Sequence, residues 1–371
     1  MVVVSSGERP AEARVAIVGG GISGLAAAHF LASRTRARVL VLEAEARIGG
    51  KVLTRDLGGI RVEAGPDGFL ADAGLLALCR ELGLEQELVE ALTTRAYFWE
   101  ADGELRPLAP PDMRHAAVTG RAPTRFLALR GGLDSLMAAL ARSTPHIEVR
   151  TKATVRSLRE APGGVVLTLE AGGTLQADAV VLAVPAHQVA RLLADVRPVA
   201  ADALAAIRYL DLGVIALRYP GQPWQLDGSG FLAAERPDRI ISGCTWASAK
   251  WPHLAGGEDT VLRATVGGSG SRTWAALDDQ GLVAAVHRDL VAALGPAPAP
   301  AASVVTRWPQ GIPDHRFRDP AGVQQARVAL ADSRVLLTAG GYLGGGMASC
   351  VADAAQVAGA MATLLAAGAP A

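Results

Sequence analysis

The apolar positions near the start of the chain form two short, continuous segments with a helical pattern between them. Residues 14–18 read RVAIV and residues 38–42 read RVLVL, as expected of strands buried on both faces of a parallel sheet. After a glycine-rich turn, Leu25, Ala28 and Leu31 follow at the spacing of one helix face. The pattern predicts a βαβ unit of about thirty residues whose two strands pair side by side.

Two later segments have the same continuous apolar character. Residues 179–184 read AVVLAV and end at Pro185, and residues 334–338 read RVLLT. Before them, residues 165–170 and 174–176 flank a Gly-Gly turn, which predicts a hairpin. We expect both continuous segments to join the parallel sheet of the βαβ unit.

The middle of the chain has a different pattern. Residues 213–219, 240–246 and 260–266 are typical of longer, antiparallel strands. A helix is predicted across residues 282–294, where apolar side chains recur at every fourth position. The PAPAP segment at residues 296–300 is a stiff linker.

These patterns predict an α/β fold with two domains and a discontinuous first domain. We expect the first domain to consist of residues 1–90, 129–190 and 331–371, with a parallel sheet at its centre. The second domain, a mainly antiparallel α+β unit, would be inserted as residues 91–128 and 191–330. A cleft between two such domains is the expected ligand site.

Composition narrows the class of protein. The 36 basic and 36 acidic side chains give zero net charge, which disfavours nucleic-acid binding, and the 50% hydrophobic content excludes intrinsic disorder. Cys79, Cys244 and Cys350 lack a disulfide or metal spacing, as do the seven histidines, so we expect no metal site and a reducing compartment. The first ten residues, MVVVSSGERP, do not resemble a targeting signal, which favours the cytoplasm.

The glycine-rich turn carries the most chemical information. Gly19, Gly21 and Gly24 form a G-x-G-x-x-G motif that would permit a tight turn, the approach of a pyrophosphate and close helix packing, respectively. The pyrophosphate would lie at the N-terminus of the helix that begins near Ile22. Glu43 ends the second strand, where a carboxylate accepts ribose hydroxyls and disfavours a 2′-phosphate.

The segments after Glu43 indicate a cofactor longer than a nicotinamide dinucleotide. Residues 44–51 read AEARIGGK and residues 61–67 read RVEAGPD. A second glycine turn, a basic residue and a Gly-Pro turn therefore stand where a nicotinamide dehydrogenase usually continues with another βα unit. These turns favour a backbone laid along a long, bent cofactor.

Several segments resemble the flavin amine oxidase superfamily. VAIVGGGISGLAAAHFL, VLVLEAEARIGGKVLT and VEAGPDGFL carry that general resemblance. Four later segments resemble its protoporphyrinogen and coproporphyrinogen oxidase branch, namely LRGGLDSLMAAL at 129–140, VVLAVPAHQVARLL at 180–193, GCTWASAKWPHLA at 243–255 and TAGGYLGGGMASCVADA at 338–354. The resemblance covers most of the chain, and its last two segments are the most specific.

The resemblance implies a Rossmann-type FAD-binding domain with an inserted substrate domain, and FAD held without a covalent bond. It places Gly19, Gly20, Gly21, Ile22, Ser23 and Gly24 at the pyrophosphate, Glu43 and Ala44 at the adenosine ribose, and Lys51 at the phosphates or their neighbouring backbone. It places Gly65, Pro66, Asp67 and Gly68 along the isoalloxazine, Val155 at the adenine, Trp308 near the flavin, and Gly345, Gly346 and Met347 over it.

The resemblance also implies oxidation of a porphyrinogen to a porphyrin in haem biosynthesis, with dioxygen as the acceptor. No acid–base pair is recognisable, so no catalytic residue is assigned. Arg95 is a candidate partner for a substrate carboxylate, although a solvated arginine fits equally well, and Cys350 fits best as a buried structural thiol. Two alternatives stay open: another flavin oxidase or desaturase of the superfamily, or a non-catalytic FAD-binding protein.

The chain departs from the family between residues 109 and 130. There the family has a longer helical lobe that covers the substrate and contributes to membrane attachment, whereas this chain has about twenty residues. Pro110, Pro111 and Pro123 exclude a long amphipathic helix. We therefore expect a more open cleft, membrane contact that is at most weak and peripheral, and recovery without detergent.

Overall fold

The computed structural model describes residues 12–108, 125–268, 273–343 and 346–367. The strands are β1 (Arg14–Val18), β2 (Arg38–Leu42), β3 (Thr54–Asp56), β4 (Arg61–Glu63), β5 (Phe69–Leu70), β6 (Leu88–Glu90), β7 (Ala96–Trp99), β8 (Leu105–Pro107), β9 (Phe126–Leu129), β10 (Ile147–Arg150), β11 (Val155–Ala161), β12 (Gly164–Leu169), β13 (Thr174–Ala177), β14 (Ala179–Leu182), β15 (Tyr209–Tyr219), β16 (Gly230–Ala233), β17 (Ile241–Thr245), β18 (Thr260–Gly267), β19 (Ala302–Pro313) and β20 (Val335–Leu337).

Helices connect and cover these strands. They are α1 (Ile22–Arg34), α2 (Ala73–Glu81), α3 (Asp134–Ala141), α4 (Ala186–Leu193), α5 (Pro198–Ala205), α6 (Ala247–Lys250), α7 (Asp279–Leu294), α8 (Pro320–Ala329) and α9 (Gly346–Ala367). Short 3₁₀ turns occupy Glu85–Glu87, Thr273–Ala276 and His315–Phe317.

A five-stranded parallel sheet forms the centre of the first structural unit, in the order β10-β2-β1-β14-β20. The predicted βαβ unit is confirmed, with Val15 opposite Val39 across the β1–β2 pair. The two later apolar segments also join this sheet, as β14 and β20. The continuous apolar pattern is explained by burial, because β1 and β14 lie inside the sheet with helices or strands on both faces.

A seven-stranded, mainly antiparallel sheet forms the second unit, in the order β19-β15-β18-β17-β16-β7-β8. Strands β15 and β18 pair along most of their length, and α7 packs on one face of the sheet through Leu282, Val286 and Leu290. Strand β19 was not predicted from its sequence, ASVVTRWPQGIP, which contains two prolines and several polar residues. Such a sequence is tolerated because β19 is an edge strand with one unpaired side.

The position of α4, α5 and α8 differs from the predicted domain boundaries. Their apolar side chains, among them Val189, Leu204 and Val323, share one buried cluster with β14 and β20 of the parallel sheet. We therefore propose that the first domain extends to about residue 207 and also includes residues 320–330. The predicted boundary at 190 divides α4, and the predicted segment 191–330 assigns α5 and α8 to the other domain.

Helix α9 packs along α1 through a buried face of Met347, Val351, Ala354, Val357 and Met361. By length and composition alone it is also apolar enough to cross a membrane, with a mean hydropathy of 1.5, and 33% of its most apolar window is buried. Its contact with α1 brings the N-terminus of α9 beside the glycine turn that follows β1.

Candidate functional site

A cavity of about 830 Å³ lies where the carboxyl ends of the parallel strands meet the antiparallel sheet. Val18 and Leu42 end β1 and β2 in its wall, while Leu212, Thr265 and Ile312 line it from the second sheet. The carboxyl edge of a parallel sheet is the usual position of a ligand site in α/β proteins.

The three motif glycines have different surroundings at the edge of this cavity. Gly19 has φ +110°, and a Cβ there would lie 2.6 Å from the Ala183 carbonyl oxygen. A Cβ at Gly24 would lie only 1.9 Å from the Gly19 oxygen, so α1 packs directly on the turn. At Gly21, by contrast, the nearest heavy atom to a Cβ is Gly50 Cα at 4.0 Å. Gly21 therefore presents its backbone to the cavity.

Helix α1 begins at this turn without a cap. No described side chain bonds its first amides, and its first turn contains no acidic residue. The first turn of a helix leaves amide donors unpaired and carries the positive end of the helix dipole. Ile22 and Ser23 line the cavity there, so this end of α1 can bind an anionic group such as a pyrophosphate.

Glu43 lies in the cavity wall with its neighbour Ala44 and is 8% exposed. One carboxylate oxygen accepts the Gly20 amide at 2.7 Å and the other accepts the Glu45 amide at 2.8 Å. These two bonds orient the carboxylate at the end of β2, where each oxygen still has a lone pair for a ligand hydroxyl. Gly20 thus positions Glu43 and does not itself line the cavity.

The second glycine turn lies directly beside the first. Gly49 donates its amide to the Gly20 oxygen at 2.8 Å, and Lys51 follows in the cavity wall. Lys51 Nζ is 5.7 Å from the centre of the Tyr209 ring, and burial lowers the pKa of this lysine. Lys51 therefore lines the same cavity as the first turn of α1, whose amides are unpaired.

Cys350 lines the cavity as a buried thiol. Burial raises the pKa of Cys350, in spite of a hydrogen bond with Ser23, so the residue is a neutral thiol at neutral pH. This environment agrees with the structural interpretation of Cys350 rather than with a reactive one.

The Gly-Pro turn forms another part of the cavity wall, to which two of its four predicted residues contribute. Gly65 and Pro66 line the cavity. Asp67 and Gly68 are not among the residues that line it. Asp67 is drawn to the second unit by an ion pair with Lys250, and Gly68 packs so closely on β9 that a Cβ would lie 2.6 Å from the Leu127 oxygen.

The remaining predicted contacts divide into three groups. Val155, Trp308, Gly346 and Met347 line the cavity. Gly345 lies outside the described residues. Arg95 does not line the cavity: its guanidinium is largely exposed and forms a 2.9 Å ion pair with Asp227, which favours the alternative of a solvated arginine.

Sequence reasoning missed several residues of the wall. Arg263 and Thr265 of β18 line the cavity, as do Tyr209 and Tyr342. Arg263 had a recognisable signal, because it is a single charged residue in the otherwise uncharged strand TVLRATVG. A charge in a buried strand requires partners, and Arg263 finds them in backbone carbonyl groups before the Gly-Pro turn.

The fold and the cavity are typical of a dinucleotide-binding protein with two domains. The family model of flavin containing amine oxidoreductases matches residues 119–362, and the model of the NAD(P)-binding Rossmann-like domain matches residues 17–82. The chain belongs to the flavin containing amine oxidoreductase family. It is an FAD-dependent oxidoreductase.

Curated relatives give a closer comparison. Coproporphyrinogen III oxidase of Bacillus subtilis (strain 168) is 23% identical over 449 aligned positions, which cover 91% of this chain and 95% of the relative. Coproporphyrinogen III oxidase of Mycobacterium tuberculosis (strain ATCC 25618 / H37Rv) is 32% identical over 245 positions, covering 66% of this chain and 52% of the relative. The chain thus spans nearly all of the first relative and about half of the second.

Solved structures share the fold. A protein of Exiguobacterium sp. 255-15, provisionally named a protoporphyrinogen oxidase, superposes with a TM-score of 0.83 at 23% identity, over 96% of this chain and 100% of the other. Cyclohexylamine oxidase from Brevibacterium oxydans IH-35A superposes with a TM-score of 0.76 at 19% identity, over 96% and 100% of the two chains. At these identities the likeness concerns the fold alone.

The environment of Gly21 generates a first prediction. Gly21→Val should leave the fold intact but weaken FAD binding by about a hundredfold or more, because its side chain would project into the cavity at the helix N-terminus. FAD titration by fluorescence quenching measures the affinity. Gly131→Val is the matched control, since Gly131 is also half-buried with an open Cβ direction but lies outside the cavity wall. Full FAD affinity in Gly21→Val would contradict the assignment.

Glu63, just before the Gly-Pro turn, generates a second prediction. Burial raises its pKa to about 7, while its carboxyl accepts the Leu133 amide at 2.8 Å and the Thr54 hydroxyl at 3.1 Å. The folded protein therefore holds this proton more tightly than the unfolded chain. The associated stability is present below pH 4.5 and is lost as the pH rises to about 7, a change on the order of 3 kcal/mol.

Glu63→Gln should remove this dependence. Urea unfolding between pH 4 and 8 measures the free energy of unfolding of both proteins. The value for the variant should rise relative to that of the natural protein between pH 4.5 and about 7, and the difference should then stay constant. Glu258→Gln, at an exposed position, is the control and should give parallel curves. A constant difference between Glu63→Gln and the natural protein would show that Glu63 ionises normally.

Proposed function

We propose that the protein oxidises a porphyrinogen to a porphyrin, with dioxygen as the final electron acceptor. The observation that carries the proposal is the relationship to coproporphyrinogen III oxidases across 91% of the chain, together with a cavity built as a dinucleotide site requires. FAD, when bound, takes up a hydride from the substrate and delivers the electrons to the acceptor.

The residues present fit FAD in this cavity. The backbone of Gly21 and the first amides of α1 would hold the pyrophosphate, with Lys51 as a nearby cation. Glu43 and Ala44 would receive the adenosine ribose, and Val155 would contact the adenine. The isoalloxazine would lie toward Gly65, Pro66, Trp308, Gly346 and Met347, all of which line the same cavity.

The chain contributes mainly position and electrostatics to the proposed reaction. Helix α9 has 22 residues and begins at Gly346 in the cavity wall, so the positive end of its dipole faces the site. That end favours the negative charge that a reduced flavin carries. Because a porphyrinogen becomes aromatic as it is oxidised, the substrate itself supplies driving force, and the protein chiefly orients it and excludes side reactions.

Cellular location follows as part of the proposal. Cys79, Cys244 and Cys350 are buried free thiols, which suits a reducing compartment, so we place the protein in the cytoplasm. The segment expected to replace the family's membrane lobe, residues 109–124, lies outside the described residues. We expect membrane contact to be weak and peripheral at most, as the prolines of that segment imply.

Anaerobic stopped-flow reduction of the FAD-loaded protein tests the proposed substrate class. We expect coproporphyrinogen III or protoporphyrinogen IX to reduce the flavin at least tenfold faster than cyclohexylamine or putrescine, because binding energy is provided only for the cognate substrate class. Readmission of oxygen should reoxidise the flavin and yield the fluorescent porphyrin. Free FAD with heat-denatured protein controls for spontaneous oxidation.

The other outcomes identify the alternatives. Fast reduction by an amine alone would favour an amine oxidase, whose fold the chain shares. Tight FAD binding without reduction by any of the four compounds would favour a non-catalytic FAD-binding protein. Either result would overturn the porphyrinogen proposal.

A further inference from the structure

The segment from Glu63 to Asp67 is bonded to the second unit along its length. Its first three residues accept hydrogen bonds at their backbone carbonyl groups from side chains of the antiparallel sheet. Arg263 Nε donates to the backbone carbonyl oxygen of Glu63 at 2.8 Å, and Arg263 Nη2 donates to the backbone carbonyl oxygen of Gly65. Trp308 Nε1 donates to the Ala64 oxygen, between them, at 2.7 Å. Three consecutive carbonyl groups of the first unit are thus bonded by two side chains of the second.

The segment ends in a buried ion pair with α6, a helix that packs on β18 of this sheet. Lys250 Nζ lies 2.8 Å from Asp67 Oδ2, and the two side chains are only 11% and 17% exposed. The ammonium group also lies over the Phe126 and Trp251 rings, at 4.2 Å and 4.9 Å from their centres. Burial alone would raise the pKa of Asp67, but Lys250 and Arg263 hold it below its ordinary value, so Asp67 is a carboxylate.

On its opposite side the segment packs on the loop that contains Lys51. A Cβ at Gly65 would lie 1.7 Å from the Lys51 oxygen, and the Ala64 amide donates to the Leu53 oxygen at 2.7 Å. Backbone contacts on this side and the three donors on the other therefore hold the Gly65–Pro66 part of the cavity wall from both sides.

A buried donor destabilises the folded protein unless it forms a hydrogen bond. Arg263 is 9% exposed, and hydrogen bonds from a buried guanidinium to carbonyl groups are stronger than neutral ones. Arg263 and Trp308 come from β18 and β19 and Lys250 from α6, so the wall is joined to two strands of the antiparallel sheet and to a helix that packs on β18. Removing one donor would leave a buried carbonyl or carboxylate without its partner and allow the wall to shift.

We propose that Arg263, Trp308 and Lys250 are positioning residues that fix the Gly65–Pro66 wall to the antiparallel sheet, and with it the orientation of the flavin against a substrate bound on that sheet. The proposal rests on FAD binding in this cavity as set out above. Trp308 acts through its indole N–H as well as through the surface of its ring. The flavin and the substrate are then held by one connected frame rather than by two independent domains.

Trp308→Phe tests the role of the donor, because it keeps an aromatic ring and removes the N–H. Trp224→Phe is the matched control: Trp224 is also buried and donates its indole N–H to a backbone carbonyl, Gly295 at 3.0 Å, but it lies outside the cavity wall. We expect Trp308→Phe to change the visible circular dichroism of bound FAD and to lower the limiting rate of flavin reduction about tenfold, with little change in the substrate dissociation constant. Trp224→Phe should change neither.

Arg263 provides a second, independent pair. Arg263→Gln should alter the flavin spectrum and rate as Trp308→Phe does, and Arg263→Lys should restore part of both. The control is Arg239→Gln, since Arg239 is 6% exposed and also bonds backbone carbonyls, those of Trp99, Ala234 and Glu100, away from the cavity. Thermal unfolding of each variant separates a general loss of stability from a local one.

Two results would overturn the proposal. Identical spectra and rates in Trp308→Phe and Trp224→Phe would show that the N–H donor does not position the wall. A loss in Trp308→Leu that Trp308→Phe does not share would assign Trp308 to ring contact alone. The spectra require no substrate, so they test the proposal even if porphyrinogens fail to reduce the flavin. Failure of the natural protein to bind FAD would contradict both proposals.

Discussion

Helix α1 approaches the turn after β1 so closely that no side chain fits between them. The contact of Gly24 with the Gly19 oxygen and the contact of Gly19 with the Ala183 oxygen bring three backbone segments together at one edge of the parallel sheet. This packing places the uncapped N-terminus of α1 beside the carboxyl ends of β1 and β14. The anion-binding end of the cavity is a consequence of that backbone geometry, since side chains contribute little there.

The other end of the cavity depends on contacts between the two sheets. Gly65 and Pro66 belong to the chain segment that follows β4, yet their position is set by donors that lie about two hundred residues later. The cavity is therefore completed only when the antiparallel sheet has folded against the first unit. A ligand that bridges both ends would add to the stability of the assembled form, because it binds the folded state alone.

Sequence patterns predicted the parts of the fold that are governed by burial. β1, β2, β14 and β20 were predicted because strands buried on both faces are continuously apolar. Strand β19 was missed because an edge strand tolerates proline and polar residues, and β10, an edge strand of four residues, was too short to give a pattern.

The site was predictable where backbone constraints select glycine and less so where distant residues meet. Gly19, Gly21 and Gly24 occupy the turn between β1 and α1 that their spacing predicts. Only glycine fits the close backbone contacts at Gly19 and Gly24, and at Gly21 the absence of a side chain leaves the cavity open. Asp67 was expected in the cavity, but Lys250, distant in the sequence, binds it elsewhere. Arg95 had two equally good interpretations, a partner for a substrate carboxylate or a solvated arginine, and it forms an exposed pair with Asp227. No local pattern encodes such pairings.

The central claim, that FAD occupies the cavity between the uncapped end of α1 and the start of α9, is tested most directly by hydrogen exchange with and without FAD. Amides of the first turn of α1 lack partners in the described structure and should exchange rapidly in the free protein. Added FAD should slow exchange in peptides covering residues 19–25, 43–51 and 346–350, with smaller changes on the far face of the antiparallel sheet. Unchanged exchange in all three peptides, at an FAD concentration that saturates binding, would contradict the claim.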